Sequence, residues 1–496
     1  MTNFKISNTE QSNVEFRREL GLFDSTMIVI GSMIGSGIFI VSADISRTVG
    51  SSGLLLLVWL ITGVITIIGA LSYGELAAMM PHAGGQYVYL RESYNPLIGF
   101  LYGWTLFLVI QTGTIAAVAV AFAKFTAVIF PWFSSTNILF APFGLKIHTG
   151  QILAIFSIIV LTYINIRGLR QAKIVQGLFT TAKTLALFGL ILLGIFIGSN
   201  AQAISANFSN IWQGKWIHLV DGKIGWVESL TGFSIIAAIG VAMVGSIFSS
   251  VAWENITFTA SEIKNPKRNI PLSLFFGTLI VITLYCLANV AYLLVLPLAG
   301  NPGGKDIMSM GIQFAAEDRV GTAAANLIFG EPAAIIMALL IMVSTFGCNN
   351  GLILAGARVY YAMAKDKLFF KSTGTLNKNS VPSKALIIQG VWASLLCLSG
   401  TYSQLLDYVV FAVLIFYILT IVGIFILRKK QPNAERPYKA FGYPFLPILY
   451  IFLAASVAII LLLYKPEYTW PGLIIVLLGI PVYFVWTKLS AEHIQK

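Results

Sequence analysis

The residues best suited to bind a small ligand lie in the stretch Ile28–Ile40, which reads IVIGSMIGSGIFI. Small residues stand there where a membrane helix normally carries Leu or Ile, namely Gly31, Ser32, Gly35, Ser36 and Gly37. Glycine inside a helix costs about 1 kcal/mol relative to alanine. In lipid, a broken helix is tolerated only where it faces protein or water. The stretch predicts either backbone groups offered to a ligand or close helix packing through Gly31 and Gly35.

Lys183 is the second candidate, because it lies deep inside an apolar segment. It comes ten residues after Lys173, which places it ~15 Å along a helix that rises 1.5 Å per residue. The apolar core of a bilayer is ~30 Å thick, so the ammonium group would have to reach across about half of it to meet water. Such a lysine marks a functional interior site by default. The alternative is a neutral lysine, or one that bonds helix carbonyls for packing alone.

Lys124 differs from Lys183. It lies near the outer end of its segment, where it can reach water, and is interpreted as structural.

Glu254 is a second charge in an apolar region, just after the Gly–Ser stretch Met243–Asn255. It could take part in a proton step or bind a cationic substrate. It could equally be a carboxylate at the start of a resumed helix, where the helix dipole favours negative charge. Glu75, at the inner end of another segment, is expected to pair with a basic loop residue or to cap backbone groups.

Other polar and aromatic residues give weaker signals. The aromatic residues near the two Gly–Ser stretches, which could cover a pocket, are Phe39, Phe248 and Trp253. A polar stripe in a later segment consists of Ser344, Thr345, Asn349 and Asn350. The three cysteines and four histidines are scattered, and no nucleotide-binding or catalytic motif is present, so the sequence predicts no metal, no cofactor and no enzyme.

Composition sets the class of protein. The chain has 496 residues, of which 57% are hydrophobic and 10% charged. Its mean hydropathy is +0.83, which is typical of a polytopic membrane protein. The first twenty residues are polar and lack an apolar core, so no cleavable signal is expected. Apolar runs predict twelve spans, at 23–46, 53–80, 96–130, 150–167, 171–198, 231–260, 270–297, 332–364, 384–401, 405–428, 443–464 and 469–488.

The basic residues predict the orientation of these spans. With the N-terminus in the cytoplasm, most of the 32 Lys and Arg residues fall in cytoplasmic segments. Those that fall outside are Arg47, Lys146, Lys215, Lys223, Lys305, Arg319 and Lys465. This asymmetry is the positive-inside rule, and it places both termini in the cytoplasm. The net charge of +12 is therefore explained by topology, and no nucleic-acid partner is expected.

The two Gly–Ser stretches also predict an internal repeat. One lies in the first span and the other in the sixth, which is the arrangement expected of an inverted repeat of five helices each. The predicted organisation has five parts, which are a cytoplasmic segment at 1–22, helices one to five at 23–198, an extracellular loop at 199–230, helices six to ten at 231–428, and helices eleven and twelve with a short cytoplasmic end at 429–496.

Four segments carry a family resemblance. They read GSMIGSGIF, GALSYGELAAMMPHAGGQYVYL, SEIKNPKRNIP and ERPYKAFGYP. Together they resemble the L-type amino acid transporter branch of the amino acid–polyamine–organocation superfamily, and the similarity runs from about Leu20 to Lys488. The resemblance implies a LeuT-like fold of twelve helices in which helices one and six are unwound around the substrate.

The resemblance also implies roles for individual residues. The amides of Gly35, Ser36 and Gly37 would hold the substrate carboxylate, as the start of a half-helix can. The substrate amine would meet the carbonyls of Met33, Phe248 and Val251, and Phe248 would close over the ligand as an aromatic gate.

In this family comparison Lys183 occupies the place of a sodium ion found in sodium-coupled relatives. It would tie helices one, five and eight together, with Ser344 or Thr345 as its neighbours on helix eight. The implied activity is sodium-independent exchange of small neutral amino acids.

Two departures from the family pattern bear on this expectation. Val251 stands where many relatives have glycine, which would narrow the pocket and favour small substrates. Glu254 stands where several relatives are neutral, which leaves proton-coupled symport open. Residues 130–150 contain no cysteine, so no covalently tethered heavy subunit is expected.

A third possibility is a membrane amino acid sensor that does not transport. The short termini argue against it, because sensors usually append a soluble output domain. Together with the missing signal and tether cysteine, they favour a bacterial inner membrane.

Overall fold

The computed structural model describes residues 16–134, 137–141, 147–220, 223–398 and 402–492. The helices are α1 Leu22–Met33, α2 Gly37–Val49, α3 Ser52–Met79, α4 Gln86–Ser93, α5 Pro96–Thr105, α6 Gln111–Ile129, α7 Thr149–Ile166, α8 Leu169–Phe196, α9 Ala201–Phe208, α10 Phe233–Ser250, α11 Asn255–Phe258, α12 Pro266–Val295, α13 Ile307–Met310, α14 Val320–Phe329, α15 Glu331–Lys365, α16 Ser383–Leu396, α17 Tyr402–Lys430, α18 Phe445–Tyr464 and α19 Pro466–Glu492. Two antiparallel two-stranded sheets pair β1 Ile138–Phe140 with β2 Ile147–His148 and β3 Lys215–Val220 with β4 Lys223–Ser229.

The prediction of an all-α polytopic membrane protein is confirmed. Within the described residues, ten helical segments are long and apolar enough to cross a membrane, and the bent pair α1–α2 gives an eleventh. The predicted ninth span corresponds to α16, which has only 14 residues, so the count of twelve is not confirmed.

The predicted interruption of the first span is present. α1 ends at Met33, Ile34 has extended backbone (φ −73°, ψ 94°), and α2 starts again at Gly37. The two helices meet at an angle of 40°. We refer to the connecting residues Ile34–Ser36 as the first break.

The sixth span is also interrupted. α10 ends at Ser250, Val251 is extended (ψ −176°), and Ala252 has a positive φ of 70°. This left-handed conformation costs a residue other than glycine roughly 1–2 kcal/mol, so the chain cannot continue as helix there. A short helix, α11, follows after Glu254. We refer to Val251–Glu254 as the second break.

The packing brings the two broken spans together. α2 lies along α10, while α1 packs against α12, α8 and α15. Residues on both sides of the breaks are buried, among them Ile34, Phe39, Phe248 and Trp253. The centre of the molecule is therefore built around both breaks, as the Gly–Ser stretches predict.

Glu75 shows how the same helices are fixed at one end. Its carboxylate accepts hydrogen bonds from the Arg428 guanidinium at 2.9 and 2.6 Å and from the Ala440 amide at 2.7 Å. The Arg436 guanidinium lies 3.4 Å away. The expected pairing of Glu75 with basic residues is confirmed, and it secures the segment between α17 and α18 against α3.

Candidate substrate and coupling site

Lys183 lies on α8 with its ammonium group beside the first break. The side chain is buried, with the residue 1% exposed. The ammonium nitrogen donates to the carbonyl of Gly31 at 2.5 Å and to the carbonyl of Ile34, and the carbonyl of Ser344 lies 3.5 Å away. Lys183 therefore connects α8 to the end of α1 and to α15. The carbonyls of Gly31 and Ile34, which the interrupted helix leaves without an amide partner, accept hydrogen bonds from the charged Lys183 side chain.

Three further side chains donate to backbone carbonyls at or next to the first break. The Ser344 hydroxyl lies 3.4 Å from the Ile34 carbonyl and 3.3 Å from that of Gly35. The Cys348 thiol lies 3.1 Å from the Ser32 carbonyl. The remaining donor is the hydroxyl of Tyr285, which lies 2.9 Å from the carbonyl of Met33. Sequence reasoning missed Cys348 and Tyr285, since neither residue type stands out in an apolar helix.

The polar stripe on α15 divides its contacts among several helices. The Thr345 hydroxyl donates to the carbonyls of Ile341 and Met342 within its own helix, so Ser344 is the member that contacts the first break. The Asn349 amide donates to the Ile115 carbonyl on α6 at 3.2 Å. Asn350 donates to Gln176 on α8, also at 3.2 Å.

The glycines of the first span serve packing as well as the break. A Cβ atom on Gly31 would come within 2.0 Å of the Gln176 amide nitrogen. One on Gly37 would come within 2.1 Å of the Ser249 hydroxyl oxygen. At Gly35 the nearest atom would be the sulfur of Cys348, at 3.1 Å. Gly31 and Gly37 therefore permit close helix contact, and the break lies between them. The interpretation that the stretch offers backbone groups to a ligand stays a prediction.

The start of α2 has the chemistry of an anion site. Ser36 is the residue before the helix. The first amides of a helix have no carbonyl partner within it, and the helix dipole adds partial positive charge. The backbone of Gly35, Ser36 and Gly37 thus lies where a carboxylate can be held.

Phe248 and Val251 lie at the second break and its edge. Phe248 lies in the last turn of α10, and Val251 is the first residue beyond that helix. Both are buried, with 6% of each residue exposed. The carbonyls at the end of a helix are not used by that helix, so this region offers acceptors suited to an ammonium group.

Glu254 is the last residue of the second break, directly before α11. Its carboxylate accepts a hydrogen bond of 2.5 Å from the Tyr417 hydroxyl on α17. It makes no capping hydrogen bond to α11, which weakens the interpretation as a helix-start carboxylate. Trp253 packs its ring edge to face against Tyr73 at 4.7 Å and lies 5.2 Å from the Tyr417 ring.

A buried ion pair at the end of the sixth span was not anticipated. Arg358 falls inside the predicted span 332–364; it lies near the end of α15 and is completely buried. Its guanidinium donates to the Glu262 carboxylate at 2.9 Å. Burial raises the pKa of Glu262, and the nearby guanidinium opposes this shift. The backbone of Leu20 pairs with Ile263 beside it, so the segment before α1 is fixed to the segment after α11.

Comparison with known proteins agrees with this geometry. The profile of the amino acid permease family matches residues 20–490. The large neutral amino acids transporter small subunit 2 of Homo sapiens is 29% identical over 483 residues, which cover 95% of this chain and 81% of that protein. The b(0,+)-type amino acid transporter 1 of Homo sapiens is 26% identical over 503 residues, covering 99% and 92% of the two chains. The serine/threonine exchanger SteT of Bacillus subtilis (strain 168) is 28% identical over 479 residues, covering 96% and 98%.

The match to the family profile spans nearly the whole chain, including both breaks, Lys183 and the stripe on α15. It also explains why no catalytic or cofactor motif was found, since relatives of this kind are transporters and not enzymes. The chain is a multi-pass membrane transport protein that belongs to the amino acid permease family.

Proposed function

We propose that the protein is a sodium-independent exchanger of small neutral L-amino acids that works by alternating access. The observation that supports this most is the contact of the buried Lys183 ammonium with the carbonyls of Gly31 and Ile34. A fixed cation already occupies this position beside the first break. The helices there can be held together without an ion drawn from a gradient, which favours exchange over sodium-driven uptake.

The binding geometry follows from the two breaks. The substrate carboxylate lies at the amides of Gly35, Ser36 and Gly37, and its amine faces the carbonyls of Phe248 and Val251. The Met33 carbonyl, assigned to the amine by resemblance, also accepts from Tyr285, and a carbonyl oxygen has two lone pairs for both. Phe248 covers the substrate as the gate.

The residue type at position 251 supports a preference for small side chains. The Val251 isopropyl group stands at the second break, where a glycine would leave more space. The name of one relative, a serine/threonine exchanger, is consistent with small substrates.

The test is uptake into liposomes that contain the purified protein. Labelled alanine and serine are offered without sodium, at equal pH on both sides, with or without unlabelled amino acid inside. We expect uptake only when amino acid is present inside. Absence of counter-transport for every neutral amino acid tested would refute the proposal.

A proton-coupled symporter is the second candidate, and the buried pair of Glu254 with Tyr417 is the observation that favours it. In that case an inward pH gradient would drive accumulation of amino acid into empty liposomes. Glu254→Gln would abolish the accumulation. Equal uptake with and without the gradient would exclude this candidate.

Orientation and assembly complete the proposal. The protein lies in a bacterial inner membrane with both termini in the cytoplasm, as the distribution of basic residues favours. Helices one to five (23–198) and six to ten (231–428) form the two repeats, followed by helices eleven and twelve in 429–496. No covalently bound heavy subunit is needed, because residues 130–150 provide no cysteine for a tether.

A further inference from the structure

A groove of about 850 Å³ opens on the surface between α3, α12 and the segment that joins α17 to α18. It lies at the end of the molecule where Glu75 fixes that segment, outside the substrate site. We call it the basic groove; its lining consists of Leu71, Lys267, Arg268, Pro271, Leu272, Phe275, Pro437, Tyr438, Lys439 and Phe441.

The charges of the basic groove are all of one sign. Lys267, Arg268 and Lys439 are exposed, and no carboxylate is part of the lining among the described residues. Lys267 and Arg268 lie in the first turn of α12, where the helix dipole adds to the positive potential. Lys267 contacts Glu435 at 3.0 Å, but both side chains are exposed, and such surface pairs contribute little. An anionic group therefore has three cations within its reach.

The floor of the groove is apolar and continues into the surface that faces lipid. Leu71 and Leu272 are half-buried in the floor, whereas Phe441 at the rim is 65% exposed. Exposed apolar residues extend from the groove along both neighbouring helices, at Leu60 and Val64 on α3 and at Phe276, Leu279 and Ile280 on α12. A hydrocarbon chain can follow these faces away from the charged end.

The walls of the groove are held in place. Gly74 lets the Tyr438 ring and the Pro271 ring approach α3, since a Cβ atom there would come within 2.8 Å of Tyr438. The Glu75 carboxylate holds the amide of Ala440, the neighbour of Lys439, at 2.7 Å. A site with fixed walls loses little conformational freedom on binding.

We propose that the basic groove binds the anionic headgroup of a phospholipid from the membrane leaflet at this end of the protein. The phosphate lies between Arg268, Lys439 and Lys267, and one acyl chain runs over Leu71 and Leu272 toward the lipid-facing surface. Charge complementarity and the continuous apolar path together select a lipid, because a free phosphate would use only the cations. The proposal does not depend on which amino acid is transported.

The test is native mass spectrometry of the detergent-purified protein titrated with phosphatidylglycerol or phosphatidylcholine. We expect phosphatidylglycerol to bind more tightly, and Arg268→Gln with Lys439→Gln to weaken it by about tenfold or more, because each cation near a membrane surface contributes appreciably. The matched control is Lys371→Gln with Lys378→Gln, which removes two exposed charges from another segment. The control should bind phosphatidylglycerol as the unaltered protein does.

Two further measurements separate a lipid from a free anion. Leu272→Trp fills the floor and keeps every cation, so it should also weaken phosphatidylglycerol, with folding checked by the melting temperature. Glycerol phosphate at the same concentration should not displace the lipid. Equal binding of the two lipids, equal loss in both charge variants, full binding by the Leu272→Trp protein, or displacement by glycerol phosphate would each overturn the proposal.

Discussion

Both breaks leave backbone carbonyls without a partner in the helix, and different side chains stabilise the backbone at each break. At the first break, the carbonyls from Gly31 to Gly35 receive donors from three neighbouring helices, including the Lys183 ammonium. At the second break, the Glu254 carbonyl accepts from the Thr257 amide and hydroxyl, close along the chain. The ring of Trp253, within the second break, packs against the rings of Tyr73 and Tyr417, which also contact each other. The first break is held by polar contacts between helices, and the second by local hydrogen bonds and aromatic packing.

This difference suggests which break depends on which residue. Removing a donor at the first break leaves buried carbonyls without a partner, which costs roughly 1–3 kcal/mol for each group. At the second break the buried charge is an acceptor, Glu254, so its hydroxyl donor Tyr417 is the sensitive partner. The first break should therefore be destabilised by loss of the Lys183 cation, and the second break by loss of the Tyr417 hydroxyl.

The largest effect is expected for Lys183→Ala. It removes the donor shared by the Gly31 and Ile34 carbonyls and leaves an empty space in the buried site. Among the described contacts, the Gly31 carbonyl then has no side-chain donor, and the Ile34 carbonyl keeps only the Ser344 hydroxyl. We expect transport in liposomes to fall by about 100-fold or more, which corresponds to ~2.8 kcal/mol.

The control for this variant is Lys124→Ala, which removes a lysine near the outer end of the predicted third span. Lys124 donates no side-chain hydrogen bond to either break among the described contacts. Its transport should remain within about threefold of the unaltered protein, a change of less than ~0.7 kcal/mol. Equal losses in the two variants would mean that any intramembrane lysine matters and that Lys183 has no special role.

The second effect concerns Tyr417→Phe, which leaves the Glu254 carboxylate without its hydroxyl donor. We expect a lower melting temperature than for the unaltered protein, because an uncompensated buried polar group costs roughly 1–3 kcal/mol. Glu254→Gln should lower it less, because the amide oxygen can still accept from Tyr417. Thermal unfolding of both variants and of the double variant measures the coupling of the pair. Additive effects would show that the two side chains act independently.

The third effect concerns the size of the pocket. Val251→Gly removes an isopropyl group at the second break, so larger amino acids should compete better with labelled alanine. We expect the preference for alanine over leucine to fall by about tenfold, which is the scale set by one or two methylene groups in an apolar pocket. Val241→Ala, on the same helix and also buried, is the control and should keep the preference. An unchanged preference in the Val251→Gly protein would place Val251 outside the pocket.

The comparison of the breaks also shows what the sequence could predict. Glycine and serine in an apolar run are rare enough to locate both breaks. A lysine in mid-membrane is also easy to recognise as functional, because burying its charge in the bilayer is energetically unfavourable. Hydrogen-bond partners that come from distant parts of the chain were harder to predict. Cys348 and Tyr285 are ordinary residues of apolar helices, and only the packing of α15 and α12 against α1 reveals that they donate to the first break. The ion pair of Arg358 was missed for a related reason, because its partner Glu262 lies 96 residues away in the chain.

The limits of the helices were predicted well where apolar runs end at charged or proline residues. The third span, for example, was expected at 96–130, and α5 and α6 occupy 96–129 with a π-helical turn at Leu106–Ile110. The turn itself has no sequence signal. The second break was placed inside a span of 231–260, whereas regular helix ends at Ser250, because the positive φ of Ala252 cannot be read from an alanine.

The smallest effect is expected for Cys348→Ala, and it tests whether every donor at the first break matters equally. The thiol lies 3.1 Å from the Ser32 carbonyl, but S–H is a weak donor, in contrast to the charged ammonium of Lys183. We therefore expect less than about a threefold change in transport, which corresponds to less than ~0.7 kcal/mol. Cys286→Ala, on α12 and half-buried, is the control and should have no effect on transport. A loss close to that of Lys183→Ala would show that the first break depends on its complete set of donors, and that the charge of Lys183 is only one contribution among several.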